Sequence, residues 1–512
     1  MKPVRLLSGI LTVSGWTLMS RVLGFVRDVL IAGLIGPGVL MDAFVAAFRL
    51  PNMFRRFFGE GAFNAAFVPM FSKRLEADEG ALAFASLALS GLGLVVAGLT
   101  GLAMVFMPAF VWATAEGFAG DARFGLTVDY GRIVFPYILF ISLAALLSGA
   151  LNAAGRFAAA AAAPVLLNIL LIGAMAAAAL AGGAVVEALV WAVPVAGVGQ
   201  LALVWLAAER AGLRLRPVRP RWTPEMAQLV RIAVPAALAG GVVQVNLVVG
   251  QIVASQYDKA VSWLYAADRL YQLPLGVVGI AVGIVLLPDL SRRLKVGDDA
   301  GARQALSRGG EVALALTIPC AVALVVIPLP LVAVLFERGA FGADDSAATA
   351  LAVAVYGLGL PAFVLQKILQ PIFFAREDTR SPFRYALVAM GVNAGLAFGL
   401  APFVGWIAAA LAATVAAWVM VWQLARGARG FGDVARFDTQ FRRRLWRIAL
   451  ASALMGAVVW GASTVLGPFL VVSGWRWLAL ALLIALGGAS YGLFGQGLGA
   501  FRLQEMRQSL RR

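Results

Sequence analysis

Apolar runs that recur from one end of the chain to the other constrain this sequence most. Each run reaches the length of about 20 residues that a helix needs to cross a bilayer core. Hydrophobic residues make up 62% of the 512 residues and charged residues only 13%, too few to cover the surface of a soluble protein. The sequence predicts an all-α polytopic membrane protein with fourteen transmembrane helices, near residues 7–35, 38–71, 81–112, 126–153, 158–181, 184–208, 225–255, 260–290, 308–336, 345–374, 382–401, 404–425, 445–467 and 475–499.

The basic residues are distributed unevenly between the connections. If the N-terminus is cytoplasmic, the cytoplasmic connections hold 29 of the 42 lysines and arginines. The outer connections hold only Arg123, Lys259, Arg338 and Arg476. Because cytoplasmic loops of membrane proteins collect Lys and Arg, this bias predicts a membrane protein with both termini in the cytoplasm. The same bias explains the net charge of +16, so no nucleic acid partner is expected.

Several kinds of chemistry are excluded by residue type. The chain has no histidine, a single cysteine (Cys320) and no G-x-x-x-x-G-K-[ST] motif. These absences exclude histidine-based catalysis, a disulfide framework, a Cys/His metal site and a P-loop ATPase within the chain. Lys2 and Arg5 precede an apolar run, as in a signal peptide, but the run is too long for one and predicts a first transmembrane helix.

An internal repeat relates the two halves of the sequence. Residues 46–50 align with 266–270, and residues 69–75 align with 288–294, at offsets of 220 and 219. The repeat unit spans six segments, so two six-helix lobes should be related by an axis along the membrane normal, with a central cavity between them. We therefore predict an N-lobe with a basic inter-lobe loop (1–221), a C-lobe (222–430) and a final region with two further helices (431–512).

Nine basic residues fall inside the apolar segments. Each costs at least ~2.5 kcal/mol at the centre of a bilayer, so such residues usually have a function. Arg132, Arg231 and Lys367 lie where they could extend to the headgroups. The other six are Arg21, Arg27, Arg49, Arg55, Arg56 and Arg269.

The second segment, 38–71, is the richest in charge. Asp42, Arg49, Arg56 and Glu60 lie within about 40° of one helical stripe, and Arg55 is displaced from Arg56 by about 100°. A straight helix of this length would measure ~51 Å, longer than a bilayer core of ~30 Å. The segment should therefore be tilted, kinked or broken, at Pro51 and at Gly59–Gly61.

Two interpretations of these charges remain open. In a structural interpretation, Asp42 pairs with Arg49, Arg56 with Glu60, and Asp268 with Arg269, and the pairs hold helices together. In a functional interpretation, the six arginines exceed the four carboxylates of Asp28, Asp42, Glu60 and Asp268, and the excess binds an anion. The choice of Arg favours phosphate or carboxylate, because the guanidinium binds such groups in bidentate fashion.

The charged segments also carry a family resemblance. They resemble the MurJ (MviN) lipid II flippases of the multidrug/oligosaccharidyl-lipid/polysaccharide exporter superfamily over nearly the whole chain. The matching motifs are 20-SRVLGFVRD-28, 42-DAF-44, 50-LPNMFRR-56, 60-EGAF-63, 66-AFVP-69, 262-SWLYAADRL-270 and 286-LLP-288.

The resemblance implies a site and a substrate. Arg21, Arg27, Arg55 and Arg269 match the arginines that bind the substrate diphosphate. Asp28, Asp42, Arg49, Arg56, Glu60 and Asp268 are expected to support them or to act in gating. The two terminal helices are expected to line a groove for the polyprenyl tail. No catalytic residue, metal or cofactor is expected.

The energy source stays open between the membrane potential and a monovalent ion. Some relatives have a sodium site that uses carboxylates, whereas this chain offers Asn246 and Asn393 in the corresponding spans.

The expected function is a transporter that moves lipid II from the inner to the outer leaflet by alternating access, for cell-wall synthesis. Its partners would be lipid II, membrane lipids and peptidoglycan synthases. One alternative is a flippase for another polyprenyl-linked oligosaccharide, and another is a drug/cation antiporter of the same fold, although an antiporter should bury an excess of carboxylates. A membrane enzyme acting on polyprenyl diphosphates would need paired carboxylates for acid/base or metal chemistry. No such motif is formed by the acidic residues of the outer connections, Glu116, Asp121, Glu337 and Asp344.

Overall fold

In the computed structural model, nearly the whole chain is helical. The structure describes residues 6–55, 62–281, 286–472 and 474–501, apart from the side chains of 6–11, 54, 62, 65, 235–246, 277–281, 287 and 288. Within these ranges no β-strand is formed, and only a single isolated bridge joins Arg338 and Phe341. Nine stretches of the described chain are long and apolar enough to cross a membrane. The prediction of an all-helical, multi-pass membrane protein is confirmed, and the count of fourteen spans stays a prediction.

The helices divide between two compact units, Met1–Ser262 and Trp263–Arg512. The first ten helices are α1 (Leu6–Leu34), α2 (Val39–Arg55), α3 (Ala62–Ala77), α4 (Ala81–Val105), α5 (Met107–Thr114), α6 (Ala122–Val134), α7 (Tyr137–Ala153), α8 (Ala158–Leu180), α9 (Val185–Arg210) and α10 (Pro224–Ser255). The other nine are α11 (Ala260–Ala281), α12 (Leu287–Lys295), α13 (Asp299–Val326), α14 (Pro328–Phe336), α15 (Ala343–Phe374), α16 (Arg380–Val404), α17 (Ala408–Ala428), α18 (Thr439–Val471) and α19 (Arg476–Gly497). The lobe limits drawn from the repeat, at 221 and 430, stay a prediction.

The breaks between helices follow glycine and proline. The chain turns at Gly182 and at Gly405, with φ of 66° and 68°, a backbone conformation that favours glycine. These turns confirm the predicted splits between the fifth and sixth segments and between the eleventh and twelfth. Pro51 lies inside α2 and does not end it, and the predicted break at Gly59–Gly61 lies outside the described residues.

The first unit packs through aromatic stacking and close helix contacts. On α3, the ring of Phe67 stacks on Phe71 at 5.5 Å and on Phe84 of α4 at 5.8 Å. Gly197 of α9 lies against Tyr137 of α7, where an added Cβ would stand 2.8 Å from the ring. Such close approaches stabilise membrane helices through van der Waals contact, since lipid offers no hydrophobic drive between them.

The second unit is built around α13, α15 and α17. A Cβ on Gly359 of α15 would stand 2.9 Å from the hydroxyl of Thr414 on α17, and that hydroxyl donates to the carbonyl of Val355 at 3.0 Å. The terminal pair α18–α19 packs on α13, where the hydroxyl of Tyr491 donates to the carbonyl of Ala315 at 2.7 Å. These contacts bring the last two helices against the body of the second unit.

Candidate functional site

A buried charged cluster joins α1 to α8 in the first unit. The guanidinium of Arg27 donates to Oδ1 of Asp28 through Nε at 3.0 Å and Nη2 at 2.7 Å. Its Nη1 donates to Oδ1 of Asn168 at 3.0 Å, and Nδ2 of Asn168 donates to the carbonyl of Ser20 at 3.0 Å. The Arg27 and Asp28 side chains are only 12% and 5% exposed. The cluster therefore orients one arginine fork inside an apolar helix layer.

Asn168 was not predicted as a site residue. The signal for it is a single amide within α8, which is otherwise made of alanine and aliphatic residues with one methionine, one glycine and one proline. Buried polar groups need hydrogen-bond partners, so such an amide in an apolar helix indicates a polar neighbour on another helix.

Three other predicted arginines of the first unit are described by the structure. Arg21 is exposed on α1, and six residues separate it from Arg27, so the two side chains leave the helix about 120° apart. Arg49 and Arg55 of α2 are half-buried. Arg56 and Glu60 lie outside the described residues. Among the described residues, the structure thus joins Arg27, Asp28 and Asn168.

Asp42, in the first turn of α2, is fully buried and binds the start of α11. Its carboxylate accepts from the backbone N–H of Lys259 at 3.1 Å and of Ser262 at 2.9 Å, and from the Ser262 hydroxyl. It also lies 3.6 Å from Nη1 of Arg123. The proposed Asp42–Arg49 pair is therefore wrong: seven residues separate the two by about 10 Å along α2, too far for the short aspartate side chain.

Arg123 was expected in an outer connection but is only 6% exposed. Its Nη2 lies 2.6 Å from Asp121 and 3.2 Å from Asp258, and its guanidinium stacks 4.6 Å above the Phe118 ring. With Asp42, three carboxylates surround this one arginine. The sequence signal was the presence of two acidic residues, Asp121 before α6 and Asp258 before α11. A count of basic residues alone does not register them.

The predicted site residues of the second unit lie on α11. Nη2 of Arg269 is 3.9 Å from Asp268, and its guanidinium lies 4.4 Å from the Tyr265 ring centroid. Asp268 also accepts from Nε2 of Gln272. The side chain of Arg269 is 30% exposed. The predicted Asp268–Arg269 pair is confirmed at the outer limit of ion-pair distance.

The residues considered for a sodium site are only partly described. Asn393 is buried on α16, and the side chain of Asn246 lies outside the described residues. Among the residues that the structure describes, no three His, Cys, Asp or Glu side chains gather as metal ligands would.

An apolar groove of about 750 Å³ runs between α13, α15 and α18 in the second unit. Ala453, Gly456, Ala457 and Trp460 line it on α18. The opposite walls carry aliphatic side chains, such as Val322 and Leu358. The groove therefore suits a flexible hydrocarbon chain.

Comparison with known proteins gives a consistent result. Residues 31–479 match the sequence model of the family described as "Lipid II flippase MurJ". A "Probable lipid II flippase MurJ" from Rhizobium tropici is 43% identical over 98% of this chain and 96% of its own length, and one from Rhizobium meliloti is 43% identical over 98% and 95%.

Solved structures agree. A structure described as "Lipid II flippase MurJ, inward closed conformation" has a TM-score of 0.79 and 25% identity, and the match covers 95% of this chain and 99% of that one. An inward-facing multidrug resistance MATE transporter of the MOP superfamily, at 14% identity and a TM-score of 0.68, covers 83% of this chain and 98% of its own and shares the fold. The chain belongs to the lipid II flippase MurJ family.

Proposed function

We propose that this chain moves lipid II from the inner to the outer leaflet of the bacterial cytoplasmic membrane by alternating access. The proposal includes fourteen spans, in two six-helix lobes with two further helices, a central cationic cavity and both termini in the cytoplasm. Its main support is the Arg27–Asp28–Asn168 cluster, which holds an arginine fork inside an apolar layer of a MurJ family member. Two relatives of 43% identity are described as probable lipid II flippases, which favours lipid II over another polyprenyl-linked glycan or a drug as the substrate.

In the proposed mechanism, the diphosphate of lipid II binds Arg21, Arg27, Arg55 and Arg269. Arg27 offers the most explicit step. Two of its N–H groups bind Asp28, so a phosphate oxygen can take the place of that carboxylate without any change in hydrogen-bond geometry. Breaking a buried ion pair costs roughly 3–5 kcal/mol, and the charge-assisted bonds to the diphosphate offset that cost.

The other charged residues would support this exchange. We assign supporting or gating roles to Asp28, Asp42, Arg49, Arg56, Glu60 and Asp268. Asp42 supports the assignment because it ties the first turn of α2 to the start of α11. A gate could open by releasing these hydrogen bonds. No covalent step is needed, so the chain acts as a transporter.

The groove between α13, α15 and α18 would receive part of the polyprenyl tail, and the rest would stay in the bilayer. Its walls are apolar, so hydrocarbon can enter without desolvating polar groups.

For the energy source, the membrane potential is worth ~2.3 kcal/mol per elementary charge per 100 mV. The outward movement of an anionic headgroup from a negative interior is favourable by this amount per charge. Coupling to a monovalent ion is the alternative. Peptidoglycan synthases are proposed as the partners that consume the product.

The decisive experiment depletes the chain in cells and measures the lipid II accessible at the outer leaflet. We expect outward lipid II to fall while lipid II accumulates inside. Unchanged outward lipid II, with polymerisation alone lost, would contradict the flippase proposal. In the same assay, expression of the Arg27→Ala variant in the depleted cells should not restore outward lipid II. The Arg231→Ala variant should restore it, since Arg231 is exposed on α10 and is not assigned to the site.

A further inference from the structure

Two arginines meet at one end of the second unit, 138 residues apart in sequence. Arg338 lies between α14 and α15, and Arg476 is the first residue of α19. Nη1 of Arg476 donates to the carbonyl of Glu337 at 2.9 Å, which places it beside Arg338. The guanidinium of Arg338 lies 5.0 Å from the ring centroid of Trp477, the neighbour of Arg476. We call these two residues the Arg338–Arg476 pair.

Among the described residues, carbonyl oxygens hold the pair and carboxylates do not. Nη2 of Arg338 donates to the carbonyls of Val334 at 2.9 Å and Leu335 at 2.7 Å. Within the described parts of the chain, neither arginine forms an ion pair, and the buried Nε atoms of both have no hydrogen-bond partner. Each guanidinium therefore keeps donors that the protein does not use.

This arrangement is unfavourable without a counter-charge. Partial burial lowers the pKa of Arg338 below the ordinary value, and the neighbouring charge of Arg476 lowers it further. Like charges held together in a partly buried position cost free energy, and an unsatisfied buried donor adds to that cost. An anion that accepts from both guanidinium groups would remove both penalties.

The contrast with Arg123, another basic residue of the predicted outer connections, is informative. Arg123 is surrounded by Asp42, Asp121 and Asp258. Arg338 and Arg476 come together instead, on the side where basic residues are scarce. Positive charge in cytoplasmic loops needs no special explanation, but a paired positive charge on the opposite side does.

The surroundings of the pair indicate that the anion belongs to a lipid. Trp475 and Trp477 are both exposed beside it, and tryptophan concentrates at the headgroup level of membranes. Val334, which accepts from Arg338, belongs to an apolar cluster that includes Val326, a residue lining the α13–α15–α18 groove. The positive end of the α19 dipole adds to the attraction for an anion.

We propose that the Arg338–Arg476 pair binds the phosphate of a lipid with net negative charge in the outer headgroup layer. The phosphate could come from an anionic phospholipid or from the diphosphate of a polyprenyl lipid that has been moved outward. Only the second source rests on the proposed function. Both offer the oxygen atoms that two arginine forks can bind together.

Hydrogen–deuterium exchange with mass spectrometry can test this site directly in the full chain. The chain is reconstituted in phosphatidylcholine alone, with added phosphatidylglycerol, and with added undecaprenyl diphosphate. We expect slower exchange in peptides covering 337–342 and 476–480 with at least one of the added lipids. The lipid that produces the effect identifies the source of the phosphate. If neither lipid changes exchange there, the proposal is wrong.

Variants separate this site from general attraction to anionic lipid. Arg338→Gln/Arg476→Gln should weaken the lipid dependence at these peptides by at least about tenfold, because charged hydrogen bonds are lost. The matched control is Arg442→Gln/Arg443→Gln, which neutralises two exposed arginines at the start of α18 and should leave the effect intact. An unchanged lipid dependence in the first variant would overturn the proposal.

If the glutamine pair fails to fold, Arg338→Lys/Arg476→Lys retains the charge without the forks. This lysine pair should keep only part of the protection. Full wild-type protection would show that attraction to charge suffices and would contradict a site built from two forks.

Discussion

Replacement of Asn168 by leucine tests whether the α1–α8 cluster serves transport or only stability. The substitution removes the acceptor for Nη1 of Arg27 and the donor to the Ser20 carbonyl. A hydrogen bond to a charged group contributes ~1.5–3 kcal/mol and a neutral one ~1 kcal/mol, although values between membrane helices average nearer ~0.6 kcal/mol. We expect a total loss of about 2 kcal/mol, or a fall in melting temperature of roughly 4–8 °C for a unit of this size.

Gln200→Leu is the matched control in the same unit. Gln200 is also a buried amide with two hydrogen bonds, to the Tyr137 hydroxyl at 3.1 Å and to the Ala163 carbonyl at 2.9 Å. Neither bond involves a predicted site residue. Its replacement should lower the melting temperature comparably and leave transport per folded molecule unchanged.

Two assays separate these effects. Tryptophan fluorescence of the purified chain gives the melting temperature, and outer-leaflet lipid II in a strain depleted of its own flippase gives transport. Asn168→Leu should lower transport at equal amounts of folded protein, because Arg27 loses one of the groups that orient it. Asn168→Asp should also lower transport, since a second carboxylate would compete with the diphosphate for Arg27, and it should cost some stability, since the donor to the Ser20 carbonyl is lost. Normal transport in both Asn168 variants would refute the role assigned to the cluster.

Three further changes have defined outcomes. Asp42→Ala should destabilise the first unit by roughly 3–5 kcal/mol, because it leaves Arg123 and two backbone N–H groups without this acceptor, and hydrogen exchange at residues 259–263 should accelerate. Asp121→Ala removes an exposed partner of Arg123 and should cost less stability. Equal losses in the two variants would count against the buried role of Asp42. Ala457→Phe should fill the apolar groove and reduce lipid II transport with little change in melting temperature, whereas Leu454→Phe on an exposed position outside its lining should not; equal transport in the two would exclude the groove as a tail site. For Asp438, partial burial opposes ionisation, but the Phe441 N–H and Arg308 lower its pKa below the ordinary value. Its stabilising effect should therefore be complete above its unfolded pKa of about 3.9 and be lost as the pH falls through the folded value. The melting-temperature difference between wild type and Asp438→Asn should shrink on acidification, and a difference that grows would reverse this assignment.

Helix placement could be predicted from the sequence because it depends on local composition. Apolar length indicates where a helix crosses the membrane, and Gly182 and Gly405 end helices through their own backbone conformations. The predicted Asp268–Arg269 pair is also local, between neighbours on α11, and the structure contains it. The Asp42–Arg49 pair failed because a shared helical stripe does not bring two side chains within reach.

The partners of the buried charges depend instead on how distant helices rotate and pack. Arg27 and Asn168 are 141 residues apart, and no sequence pattern connects them. Asp42 and Ser262 are 220 apart, which equals the offset of the internal repeat, but that offset relates equivalent positions of the two copies and does not predict that they touch. An error of one residue turns a side chain by about 100°, so helical phase alone cannot select a partner on another helix. The sequence by itself determined an all-helical membrane protein with arginines in its apolar segments, because burial of charge in lipid is costly wherever it occurs. Only the tertiary structure decided which groups neutralise Arg27 and Arg123, and it leaves the Arg338–Arg476 pair without a carboxylate among the described residues, because ion pairing requires contact within a few ångströms across the fold.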